Sequence, residues 1–220
     1  MTGPTSLPTF HALRFGRAAA RYDAQAGVQV QMADALLSLW GERAAPARIL
    51  EFGCGTGLLT RRLRARFPDA VHVATDAASG MLEHARRTFG GPSTADVDRG
   101  KPPAAAVPPR APVFQMLDAR GETAAAYRAL HELAAAHPEA FPADLVAAGA
   151  LVQWFPDLAA HLRFAASAAG PGAAYLVSGF GRDNFPELNA LLAAEPFAYR
   201  DFPGHAPDAV EAAAGAAGWA

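Results

Sequence analysis

The chain is expected to fold as an α/β domain: a doubly wound, mainly parallel sheet in the order 3-2-1-4-5 with helices on both faces. Three observations predict this. Short apolar runs alternate with stretches of helical periodicity, and the runs close on acidic or small residues. Glycine recurs at every second position after the first run, at Gly53, Gly55 and Gly57. That spacing weakens a strand or helix interior but suits a tight turn opening a helix. Finally, Glu51 and Asp76 stand 25 positions apart, the reach of one strand–helix–strand unit. Both acids therefore fall at the carboxyl edges of neighbouring parallel strands, where such sheets bind ligands.

Bulk properties narrow the function classes. The 220 residues suit one domain spanning 1–220, and 51% are hydrophobic, enough for a sizeable core. A net charge of −2 leaves no global attraction to nucleic acid or to an anionic membrane, so an acidic partner would need a local basic patch. Cys54 is the only cysteine and cannot form an internal disulfide, which fits a reducing compartment. No signal peptide is read and no apolar run approaches a membrane span, so the expected location is cytoplasmic. The near-replacement of lysine by arginine, with abundant alanine, is a coding bias without functional content.

Residues 1–43 read as a lead followed by two helices, Phe10 to Tyr22 and Ala24 to Trp40. Arg14, Arg17 and Arg21 share one face of the first, which is either a solvated face or a basic face near a site entrance. Arg48 to Phe52 is the first strand, and Leu58 to Phe67 is a helix burying Leu58, Leu59, Leu63 and Phe67. The glycines between them let a ligand lie against backbone at the mouth of a helix whose first N–H groups lack partners. Val71 to Thr75 is the second strand, ending at Asp76. Its carboxylate can accept both hydroxyls of a ribose, or cap the helix that starts almost at once. Met81 on that helix packs either on a ligand or in the core. His72 and His84 are expected on a strand surface and a helix surface.

Residues 91–111 are Pro/Ala-rich and read as a surface insertion. Pro112 to Leu117 is the third strand, closed by Asp118 and Ala119, where the acid is either a ligand group or a turn former. Glu122 to His137 is a further helix, and Ala143 to Ala148 the fourth strand. Leu158 to Ala169 is the next helix, stopped by Gly170-Pro171-Gly172, and Ala173 to Val177 is the fifth strand. Pro207 to Ala217 is helical, and Gly218-Trp219-Ala220 reads as the approach to a sixth strand.

The pattern Gly-x-Gly-x-Gly behind Glu51 departs from the Gly-x-Gly-x-x-Gly of dinucleotide sites. It resembles the first motif of class I S-adenosylmethionine-dependent methyltransferases, whose Rossmann-like fold agrees with the architecture above. Two runs are more specific. Phe15-Gly16-Arg17-Ala18-Ala19-Ala20-Arg21-Tyr22-Asp23, and Gly179-Phe180-Gly181-Arg182-Asp183-Asn184-Phe185-Pro186-Glu187-Leu188, are similar to runs of the malonyl-acyl-carrier-protein O-methyltransferases of biotin synthesis. Asp144-Leu145-Val146 followed by Val152-Gln153-Trp154 resembles a third such run.

The resemblance implies S-adenosylmethionine as cofactor and malonyl-acyl carrier protein as partner. It gives cofactor binding to Tyr22, Gln29, Glu51, Gly53, Gly55, Gly57, Asp76, Ala77, Met81, Asp118 and Ala119. Tyr22 and Gln29 would lie over the cofactor, Glu51 would face its amino group, and Asp76 its ribose. Met81, Asp118 and the Ala119 backbone N–H would serve the adenine. Gln153, Trp154 and Arg182 would face the acceptor. No metal is implied. The departures are Pro142-Ala143 between Phe141 and Asp144, Ala148-Gly149 where relatives carry Ser-Asn, and Gly179 in place of a threonine. The family also continues through strands six and seven, which this chain is expected to lack. Another small-carboxylate methyltransferase and a non-catalytic binder remain as alternatives.

Overall fold

The computed structural model describes residues 23, 25–90, 110–121, 123–181 and 205–219. Five strands, β1 (Arg48–Phe52), β2 (Val71–Asp76), β3 (Val113–Met116), β4 (Ala143–Ala148) and β5 (Ala169–Val177), form one sheet in the order β3-β2-β1-β4-β5. Every pairing is parallel, so the predicted order and direction hold. The helices are α1 (Gly27–Ser38), α2 (Leu58–Arg66), α3 (Ser79–Gly90), α4 (Ala124–Ala136), α5 (Leu158–Ala168) and α6 (Pro207–Ala216).

The two-residue period of the strands sorts the helices onto two faces. Ile49, Leu145 and Ala147 pack with Ala33 and Leu36 of α1 and with Leu59 and Leu63 of α2. Ala74, on the same side, meets Leu82 and Ala85 of α3. Leu50, Phe52, Val146 and Ala148 face the other way, onto Leu130 of α4 and Leu162, Phe164 and Ala165 of α5. At the amino end of the sheet, Asp144 accepts from the Arg48 guanidinium at 2.5 Å and from the Ala47 and Arg48 backbone N–H groups. The Arg48 guanidinium holds the Asp144 carboxyl below its usual range. That pair braces the amino edge of the sheet.

Several expectations are corrected. The second helix runs Gly27–Ser38, inside the expected span, and stops before Trp40. The fifth strand begins at Ala169, four residues early, so Gly170-Pro171-Gly172 lie inside it. The pairing absorbs them as a register irregularity, Ala143 facing Ala169 while Leu145 faces Ala174. Among the described residues β5 borders only β4, and an edge strand with a bulge can hold proline. Ala217 and Gly218 form a turn, and Trp219 packs on Tyr175 with ring centroids 5.3 Å apart; Ala220 lies outside the described residues. His72 is buried, only 4% exposed, where a strand surface was expected. The helix Phe10 to Tyr22, with Arg14, Arg17 and Arg21, and most of the insertion lie outside the described residues. Among those described, no helix is long and apolar enough to cross a membrane.

Candidate active site

The turn after β1 builds a cleft from backbone. Gly53, Gly55 and Gly57 have φ of 64°, 56° and 91°, the left-handed region that L side chains avoid. Two of the three also lack room for a side chain. A Cβ on Gly53 would fall 2.6 Å from Leu151 Cδ1, and one on Gly57 would strike the Phe89 ring. A Cβ on Gly55 would meet none of the described residues within 4 Å. Gly55 therefore presents bare backbone to open space, in a cleft that Gln29, Gly53, Thr56, Gly149 and Ala150 also line. Gly57 serves packing beneath it.

Asp76 reaches this loop from the end of β2. Its Oδ2 accepts from the Gly55 N–H at 2.9 Å and its Oδ1 from the Ala78 N–H at 2.8 Å. Each oxygen keeps a second lone pair. Burial raises the Asp76 pKa, opposed by the Ala78 and Gly55 N–H groups. The same carboxylate thus braces the glycine turn and closes its own. Ala77 beside it is exposed.

Glu51 lies under the loop and does not line the cleft. It is 1% exposed; its Oε2 accepts from Thr60 Oγ1 at 2.8 Å and sits 3.0 Å from His72 Nε2. Met81 is likewise buried, at 3%. One strand further out, Leu117 N–H donates to the Asp76 carbonyl at 3.1 Å, which brings Asp118 and Ala119 to the same edge. Asp118 is paired with the Arg120 guanidinium, whose Nε lies 2.9 Å from both carboxylate oxygens. Burial pushes the Asp118 carboxyl up, but the Arg120 hydrogen bonds win and hold it below its usual value.

On the β4 side, Ala150 adopts φ 52°, left-handed without being glycine. It is held from both ends. Its N–H donates to Ser178 Oγ at 3.0 Å, and its carbonyl accepts from Gln153 Nε2 at 2.6 Å. Gln153 is 1% exposed and does not line the cleft, and among the described residues its Oε1 has no partner; Trp154 beside it is half-buried. Tyr22 and Arg182 lie outside the described residues.

The structure thus gathers Gln29, Gly53, Gly55, Asp76, Ala77, Asp118 and Ala119 at one sheet edge and sets Glu51, Gly57, Met81 and Gln153 behind it. Sequence reasoning passed over Asp23, Thr56, Ala150 and Ser178. Asp23 accepts from Thr56 Oγ1 and, at 3.1 Å, from Arg61, tying the segment after Tyr22 to the loop. Its place next to Tyr22 was a usable signal. An alanine in left-handed backbone leaves none. Among the described residues no cluster of His, Cys, Asp or Glu could hold a metal ion.

Comparison with known proteins agrees with this fold. The malonyl-[acyl-carrier protein] O-methyltransferase of Brevibacillus brevis is 33% identical over 179 residues, 80% of this chain and 54% of that one. The protein of the same name from Geobacter sulfurreducens is 47% identical over 77 residues, 34% of this chain and 29% of its own. The chain thus spans about half the length, or less, of these curated relatives. A solved O-methyltransferase family protein from Burkholderia thailandensis shares the fold at a TM-score of 0.58 and 16% identity, over 93% of this chain and 56% of that one. Residues 24–210 match the family model described as a methyltransferase domain, and the chain belongs to that family.

Proposed function

We propose that the chain is an S-adenosylmethionine-dependent O-methyltransferase whose acceptor is the free carboxylate of a malonyl thioester on an acyl carrier protein. The observation that carries cofactor binding is the open face of Gly55 beside the Asp76 carboxylate. A ligand can lie on that backbone while its hydroxyls take the unused Asp76 lone pairs. Asp118 and the Ala119 N–H serve the adenine, with Met81 packed beneath. Gly53, Ala77 and Gln29 surround the remainder, and the resemblance adds Tyr22 to them. Glu51 and Gly57 act through the loop they support.

S-adenosylmethionine, when bound, supplies an electrophilic methyl on a sulfonium. The chain's own residues align donor and acceptor and exclude water: Trp154 serves the acceptor side, Gln153 acts through the Ala150 carbonyl it holds, and the resemblance adds Arg182. A malonyl carboxylate is ionised near neutral pH, so no side chain has to remove a proton. Positioning can then supply most of the rate. The choice of acceptor rests on the names of the relatives and on the resemblance of the runs at Gly179–Leu188 and Asp144–Trp154.

A second reading, a different small carboxylate as acceptor, is favoured by the inward turn of Gln153 onto Ala150. One experiment addresses both. The chain is incubated with S-adenosylmethionine and, separately, malonyl carrier, malonyl-coenzyme A and free dicarboxylates. Methyl ester on malonyl carrier is the expected product. Binding of cofactor with turnover only on another acid would favour the second reading, and no cofactor binding would sink both.

A further inference from the structure

The segment Asp118–Gly121 is tied to α5 by contacts that packing alone does not require. His161 on α5 is fully buried, and its Nδ1 lies 2.5 Å from the Ala119 carbonyl oxygen. A carbonyl only accepts, so Nδ1 carries the proton. Nε2 of the neutral ring is then an acceptor, and the Tyr175 hydroxyl donates to it from β5. Tyr175 is in turn covered by Trp219, whose Nε1 donates to the Leu162 carbonyl at 3.0 Å. A second anchor follows two residues on. Gly121 has φ 73°, and a Cβ there would strike Phe164 Cβ and lie 2.8 Å from the Ala160 carbonyl. Burial drives the His161 pKa down to about 4, so the ring is neutral at ordinary pH. An apolar side chain would fill the same space between Phe52 and Phe155 without that cost. The Ala119 carbonyl is what the imidazole adds.

We propose that His161 is a positioning residue for the adenine subsite: its Nδ1–H fixes the Ala119 peptide, and with it the neighbouring Asp118 carboxylate and Ala119 N–H. The inference rests on the reading that S-adenosylmethionine binds at this edge. Ala119 thereby takes its place from α5, β5 and Trp219 as well as from β3.

The amide variants separate this role from packing. Asn presents an N–H where Nδ1 stands, and Gln presents one where Nε2 stands. In the full chain, His161→Asn should keep S-adenosylmethionine affinity within about threefold. His161→Gln should lose roughly three- to tenfold, the worth of one neutral hydrogen bond. KM for the cofactor should rise while kcat at saturation holds, and preference for the adenine cofactor over its hypoxanthine analogue should shrink in the Gln variant alone. Equal affinities in the two variants, or an unchanged preference, would overturn the inference. Should the Gln variant not fold, Gly121→Ala displaces the same segment from Phe164, and the same KM rise is expected; an unchanged KM would overturn it. Failure of the unaltered chain to bind S-adenosylmethionine by calorimetry would instead remove the reading of the site, a separate result.

Discussion

The Gly55 N–H donates to Asp76 Oδ2 at 2.9 Å, so the central glycine of the turn and the acid ending the next strand are one unit. The carboxylate that would hold a ribose also holds the backbone on which the rest of the ligand would lie. Asp76→Ala should therefore damage binding twice. Hydrogen bonds to a charged group are worth about 1.5–3 kcal/mol, so at least a roughly tenfold loss of S-adenosylmethionine affinity is expected. Calorimetric titration with unchanged affinity would sink the assignment. Asp76→Asn keeps one acceptor and should fall between the two.

The three glycines should respond differently to alanine. Gly55→Ala meets no neighbour among the described residues and costs about 1–2 kcal/mol for left-handed backbone, while placing a methyl where the ligand would lie. It should fold and bind poorly. Gly57→Ala carries the same backbone strain and also drives into Phe89, so its melting temperature should fall further. Adding Phe89→Ala should recover part of the Gly57→Ala loss, and a double mutant with strictly additive losses would refute the packing account.

Stability should depend on pH through His161. Its pKa drops from 6.5 unfolded to about 4 folded. As pH falls from about 6.5 toward 4 the unfolded chain gains a proton that the folded one refuses, and stability is lost across that window. The full effect is on the order of 3 kcal/mol. Asp76, with its raised pKa, works in the opposite direction at the acid end. The clean measurement is therefore the difference between the chain and His161→Asn in urea unfolding at pH 7 and pH 4.5. A difference that does not change with pH would exclude the buried neutral imidazole.

Much of this arrangement is legible before any coordinates. Apolar runs, breakers and the alternating glycines locate four strands within a residue or two, because parallel strands buried on both faces carry continuous apolar sequence. Asp76 and Asp118 are readable because they end such runs. His72 is not: a polar residue in a strand reads as surface, and only the register Ile49 to His72 shows that Glu51 waits across the pair. Gly170-Pro171-Gly172 read as a helix stop, and the helix does stop, but an edge strand with a register irregularity tolerates both residue types. The inward turn of Gln153 and the hold of His161 on Ala119 depend on contacts 3 and 42 residues apart in sequence, and the longer one has no local signature.

The substitution of Gly179 for the threonine of the resembled run has a physical reading that can be tested. A Cβ on Gly179 would lie 2.5 Å from Val152 Cγ2 and 3.0 Å from Gln153 Oε1, the buried oxygen without a partner among the described residues. The glycine is thus matched to Val152, and a hydroxyl here would supply the donor that Gln153 lacks. Gly179→Ser alone should cost about 1–3 kcal/mol through overpacking. Val152→Ala alone should cost a similar amount through the cavity it leaves. Together they should cost clearly less than the sum, because the serine occupies space that the valine vacates. Within the Val152→Ala background, serine should exceed alanine at position 179 by about 1 kcal/mol, one hydrogen bond to Gln153 Oε1. Urea midpoints of the four variants decide it: additive losses would refute the steric match, and equal stability of serine and alanine would leave the Gln153 oxygen unserved by that hydroxyl.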